Sequence, residues 1–73
     1  MIDEDKAALQ LLGERLRTYR LEKNYSQEQF AELTNLDRTY ISGLERGKRN
    51  PSFLILKRIF DVLEIQSSKF FEV

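Results

Sequence analysis

Residues Gln27 to Arg46 read QEQFAELTNLDRTYISGLER, and their spacing is that of two short helices joined by a tight turn. Ala31 stands fifth in this run, the turn Asn35-Leu36-Asp37 ninth to eleventh, and Ile41 and Leu44 fifteenth and eighteenth. Two helices crossing at about 100° need a small residue at the fifth place and apolar anchors at the last two. A side chain larger than Ala31 would drive the helices apart. Between its anchors the second helix is polar, so one of its faces is expected to carry hydrogen-bonding groups outward.

Upstream, Ala8, Leu9, Leu12, Leu16 and Tyr19 recur at steps of three and four, which predicts an amphipathic helix from Asp5 to about Lys23. Asp3, Glu4 and Asp5 favour its start through the helix dipole. Asn24 can take the left-handed conformation that ends it, and Tyr25 sits where a hydrophobic staple would hold the next helix. Ser26 followed by Gln29 forms a capping box, so the second helix should run from Gln27 to about Thr34. The third then covers roughly Arg38 to Arg46. Gly47 is placed to end it, ahead of the polar connector Gly47-Lys48-Arg49-Asn50-Pro51. Ser52 can cap a fourth helix reaching about Glu64, and Ser67 to Phe71 predicts a short fifth. The expectation is an all-α fold of five helices in a single domain, 1–73, with no strand.

The 73 residues lie near the lower limit at which one apolar core suffices, so burial through dimerisation would help. There is no cysteine and no histidine, which removes disulfides, thiolate metal sites, the usual general base and the commonest metal ligand. No enzyme chemistry, cofactor or metal is expected. The longest apolar run, Phe53 to Leu56, is far short of the roughly 20 residues of a membrane helix, and no secretory n-region and h-region open the chain. An intracellular, soluble protein of the cytoplasm is the expectation from that reading.

The formal net charge is zero, whereas nucleic-acid-binding domains are usually basic. Its distribution is uneven. Residues 1–14 hold four acids and one base, residues 15–58 ten bases and five acids, and residues 59–73 three acids and one base. The middle carries +5 between ends of −3 and −2, and such a concentrated positive field can still be steered to phosphate.

With Ile41 and Leu44 inward, Arg38, Thr39, Tyr40, Ser42, Gly43 and Arg46 turn outward to varying degrees. Arg38 can give a bidentate pair to guanine, Thr39 a methyl to thymine, and Ser42 a donor or an acceptor. Tyr40 can reach a phosphate or a base edge. Gly43 costs about 1 kcal/mol relative to alanine in a helix interior; close approach to a groove wall and a simple packing gap both explain it. Gln27 opens the second helix, where exposed N–H groups suit a phosphate oxygen. Lys48, Arg49 and Asn50 can bind backbone phosphates or enter an adjacent groove. Glu45 sits beside the buried Leu44, and Arg20 is its expected partner in a structural ion pair. The apolar residues of the fourth helix cover close to half its circumference, leaving one margin spare. That margin (Leu54, Ile55, Val62) with Ile65, Phe70 and Phe71 is the expected dimer interface, so the segment 53–73 contributes to dimerisation.

These residues together resemble the lambda-repressor/Cro-type (Xre-like) helix-turn-helix proteins over about Leu12 to Ile65. The run NLDRTYISGLERGKRNPS (Asn35 to Ser52) and the Phe-Phe-Glu near the end are similar to controller proteins of bacterial restriction-modification systems. The resemblance implies a compact lambda-repressor-like domain and a transcriptional regulator acting on its own operon. It implies base or groove contacts from Arg38, Thr39, Tyr40, Ser42, Arg49 and Asn50, with Gln27 at phosphate and Arg20–Glu45 as the internal pair. It also implies a homodimer on a pseudo-palindromic double-stranded operator. Activating relatives present acids of the second helix to RNA polymerase; Glu28 and Glu32 occupy such places, with the sigma subunit as the partner. Asn35 departs from the glycine often found at the turn, and residues 1–8 fall outside the resemblance. The competing expectation is a protein-interaction module such as a helix-turn-helix antitoxin.

Overall fold

The structure, a computed structural model, describes residues 2–72. Val73, expected among the apolar groups at the chain's end, lies outside them. Five helices follow one another: α1 (Asp3–Glu22), α2 (Gln27–Thr34), α3 (Arg38–Glu45), α4 (Phe53–Leu63) and α5 (Ser67–Phe70). The described residues contain no strand.

Local chemistry sets the boundaries. The Ser26 hydroxyl accepts from the Gln29 N–H at 3.0 Å and the Gln29 carboxamide accepts from the Ser26 N–H at 2.8 Å, closing both halves of the capping box. Tyr25 stacks on Phe30 with ring centroids 6.2 Å apart, fixing the angle at which the chain enters α2. Asn24 and Asn35 take positive φ, 61° and 57°, and let the chain turn after α1 and α2. Ser52 caps α4 by accepting from the Ile55 N–H at 3.2 Å. Helix α1 begins at Asp3, two residues before the expected start, because Ile2 is extended and the three acids occupy the first turn itself, where the dipole favours them. The α3 and α5 ends fall one residue short, with Arg46 and Phe71 as C-caps.

Leu16, Phe30, Ala31, Ile41, Leu44, Ile59, Phe60, Leu63 and Phe70 form one buried cluster to which every helix contributes. Ala8, expected on the buried stripe of α1, is exposed. The helix is inserted from Leu12 onward, so its first turns project past the core. Thr34 is fully buried, its hydroxyl donating to the Phe30 carbonyl at 2.7 Å. Arg58 of α4 reaches back to the Thr34 and Asn35 carbonyls at 3.3 and 3.4 Å, neutralising the free acceptors where α2 ends.

Two glycines dock α3 against α1. A Cβ on Gly13 would collide with the Leu44 carbonyl oxygen and stand 2.6 Å from that of Glu45. The backbones therefore touch there. Gly47, at φ +74°, would place a Cβ 2.8 Å from Gln10 Cγ. It closes α3 with paired bonds, Gly47 N–H to Leu44 O at 3.1 Å and Lys48 N–H to Gly43 O at 2.8 Å, the reversal that a left-handed residue permits.

Candidate nucleic-acid interface

Ile41 and Leu44 are each 1% exposed, which fixes the rotation of α3 about its axis. Arg38, Thr39 and Arg46 are consequently exposed, and Tyr40 and Ser42 are half-buried. The connector carries Lys48, Arg49 and Asn50, all exposed, to the same end of the molecule as the α3 C-terminus. These side chains are donor-rich, and the helix beneath them is held on its other side by the core. That is the arrangement needed to press base-reading groups into a major groove without the backbone giving way.

A polar relay anchors this helix from inside. Arg20 Nε donates to Glu45 Oε2 at 2.6 Å and its Nη2 to Glu45 Oε1 at 3.0 Å, while Nη1 donates to the Tyr25 carbonyl at 2.7 Å. The two charged side chains are 6% and 4% exposed, so the pair is bidentate and buried. Gln27 Nε2 donates to Glu45 Oε1 at 3.2 Å, and Arg38 Nη1 lies 3.4 Å from Gln27 Oε1. The relay runs from α1 through α3 and α2 to the first residue of α3.

Two expectations need correction, at Gly43 and at Phe70. Gly43 is buried rather than turned outward: Arg49 lies over it, with Cγ 3.0 Å from where a Cβ would stand. The Gln27 carboxamide bonds inward to Glu45 and Arg38, and the expectation at this position concerns the backbone N–H groups of the α2 N-terminus. Phe70 is 1% exposed, stacked on Tyr19 at 5.5 Å and tilted against Phe60 at 4.7 Å, and is core rather than interface. Burial of that ring turns α5 inward, and Arg15 Nη1 donates to the Phe70 carbonyl at 3.1 Å, tying the end of α5 to α1.

The other residues expected at an interface divide by exposure. Leu54 and Phe71 are 71% and 53% exposed, whereas Ile55, Val62 and Ile65 are half-buried against the core. Phe53, at 75%, is the most exposed large apolar side chain among the described residues and stands beside Leu54 at the start of α4, on the opposite edge of the helix from Val62. It was missed because a wide apolar face on a helix does not say which edge the core takes. Arg17 and Thr18 of α1 line an open groove with Gln27, Ser42 and Arg46. No short motif announces them, since their place depends on how α1 crosses α3. Glu28 and Glu32 are exposed one turn apart on α2.

Fold and surface together define a DNA-binding transcription regulator. The chain belongs to the helix-turn-helix family, whose model matches residues 16–70. Within it the chain is similar to restriction-modification controller proteins. The control protein C.MunI of Mycoplasma sp. is 47% identical over 60 residues, which are 81% of this chain and 81% of C.MunI. The crystal structure of the controller protein C.AhdI from Aeromonas hydrophila has a TM-score of 0.85 at 42% identity, covering 89% of this chain and 98% of that one. A third relative, the controller protein C.Esp1396I, is known as a tetramer in complex with its natural 35 base-pair operator; it has a TM-score of 0.78 at 43% identity, covering 86% of this chain and 83% of its own. These relatives are regulators, not enzymes. Among the described residues, no helix is long and apolar enough to cross a membrane.

Proposed function

We propose that this chain is the controller protein of a restriction-modification system, a homodimer that binds a pseudo-palindromic operator and both activates and represses its own operon. One observation carries the reading: α3 is clamped through Ile41, Leu44 and Glu45 while Arg38, Thr39, Tyr40 and Ser42 remain accessible at its outer face. Arg38, Thr39 and Ser42 read base edges. Arg46, Lys48 and Asn50 meet the flanking backbone, and the α2 N-terminus at Gln27 takes a phosphate. In a symmetric dimer the two copies of α3 enter successive major grooves about 34 Å apart.

The operator complex of C.Esp1396I supports an operator role, and its tetramer supports a second dimer joining at higher concentration. Activation uses Glu28 and Glu32, which face outward on α2 and present an acidic edge to the sigma subunit of RNA polymerase bound alongside. The site of action is the nucleoid, in the cytoplasm. Footprinting upstream of the protein's own gene across a protein titration tests the whole scheme. Protection of one symmetric site at low protein and of an adjacent one at higher protein is expected. Equal protection of promoter and random fragments at physiological salt would overturn it.

A further inference from the structure

Arg49 is exposed, yet it is not loose. After α3 the chain reverses at Gly47, and the bond from Lys48 N–H to the Gly43 carbonyl lays the following residue back along the helix it has just left. The Arg49 stem crosses Gly43, where a Cβ would stand 3.0 Å from Cγ and 3.3 Å from Nε. Its guanidinium carbon then lies 5.7 Å from the centre of the Tyr40 ring. Residues 40 and 43 are neighbours on one face of α3, three positions apart. Together they form a floor and a platform for one long side chain. Glycine is a poor choice for a helix interior on propensity, and the crossing stem is the group that a Cβ there would displace.

We propose that Gly43 and Tyr40 are positioning residues for Arg49, holding its guanidinium at the edge of the recognition surface before DNA arrives, so that Arg49 acts as a specificity-determining donor to a guanine. The proposal rests on the operator reading above. An arginine lying over an aromatic ring keeps its N–H groups free in the guanidinium plane, where they match the two acceptors of a guanine edge. A mobile arginine would find any phosphate instead. Ordering the side chain in the free protein also removes part of the entropy cost that binding would otherwise carry.

Two measurements test this. In NMR spectra of the free protein, the Arg49 δ protons should show a ring-current shift that Tyr40→Phe keeps and that Tyr40→Leu and Gly43→Ala both diminish. In binding titrations on operator and random DNA, Gly43→Ala should melt no lower than the parent yet lose roughly tenfold of its preference for operator, about one good base contact. In an Arg49→Ala background the same change should cost nothing further. An equal loss in both backgrounds would mean that Gly43 meets the groove directly, and the proposal would fall. It would fall equally if the Arg49 resonances ignored both Tyr40→Leu and Gly43→Ala. A parent protein with no operator preference would overturn the regulator reading itself, a result separable from these because the resonances are read without DNA.

Discussion

Arg38 shows how much a single side chain can be asked to decide. It opens α3, it is exposed, and one of its guanidinium nitrogens rests 3.4 Å from the Gln27 carboxamide, a weak contact that steers without holding. Arg38→Ala should therefore cost roughly 1–3 kcal/mol at its cognate base and relax specificity there, with little effect on folding. Binding titrations on operators substituted one base pair at a time check this; a loss that is the same on every sequence would reassign Arg38 to phosphate. Glu45 is the opposite kind of charged residue. Its carboxylate is spoken for by Arg20 and Gln27 inside the molecule, and Glu45→Ala would leave the Arg20 guanidinium buried with half its partners gone. Stranding a buried charge costs about 3–5 kcal/mol, and in a domain this small each kcal/mol moves the midpoint by about 4–8 °C. Thermal melting should fall by more than about 10 °C. An unchanged melt would show that the pair contributes nothing to the fold.

At the scale of elements, the contact between α1 and α3 depends on Gly13, where backbone meets backbone. An added methyl there has no flexible side chain to displace, only the carbonyls of Leu44 and Glu45. Overpacking costs about 1–3 kcal/mol, against a gain of about 1 kcal/mol in helix propensity, so Gly13→Ala should lower the melting temperature. At Gly43 the obstacle is the movable Arg49 stem, and the same substitution should leave the melt unchanged or raised. Calorimetry on the pair checks the contrast, and parallel effects at the two sites would refute the close approach of α1 and α3. The contrast also marks what the sequence could disclose. Ser26, Gln29, Asn35 and Ser52 act on their own neighbours in the chain, so the helix boundaries were legible from local pattern. The fifth, fifteenth and eighteenth places of the Gln27–Arg46 run likewise announced the crossing of α2 and α3. Gly13, Arg58 and the Gln27 carboxamide act across elements distant in sequence, and no periodicity encodes a partner 31, 24 or 18 residues away. Gly43 was legible as an anomaly but not as a cradle, because its occupant comes from the connector folding back.

For the whole molecule, the proposed homodimer needs a surface for its second copy, and exposure narrows the choice. A stable dimer buries at least about 1,000 Å², and burial of that size calls for large apolar groups that the monomer's own core leaves uncovered. Phe53 and Leu54 at the start of α4, with Phe71 after α5, meet that condition; Phe70 does not, since it fills the space between Tyr19 and Phe60. Phe70→Asp would put a charge into the core and unfold the chain, so loss of the dimer in that variant would say nothing about the interface. Leu54 is 71% exposed and contributes little to the monomer's stability, which makes Leu54→Asp the informative change. Two such charges facing each other across a symmetric contact would repel as well as lose their apolar partners. Sedimentation velocity should show Leu54→Asp as a monomer at concentrations where the parent is a dimer, with helical content intact by circular dichroism. On DNA the same variant should lose the steep rise of operator occupancy with protein concentration and retain only weak, half-site binding, because each recognition helix then binds without its twin. A dimer that survives Leu54→Asp would move the interface off the α4 margin, and with it the spacing of the two recognition helices on which the operator's symmetry depends.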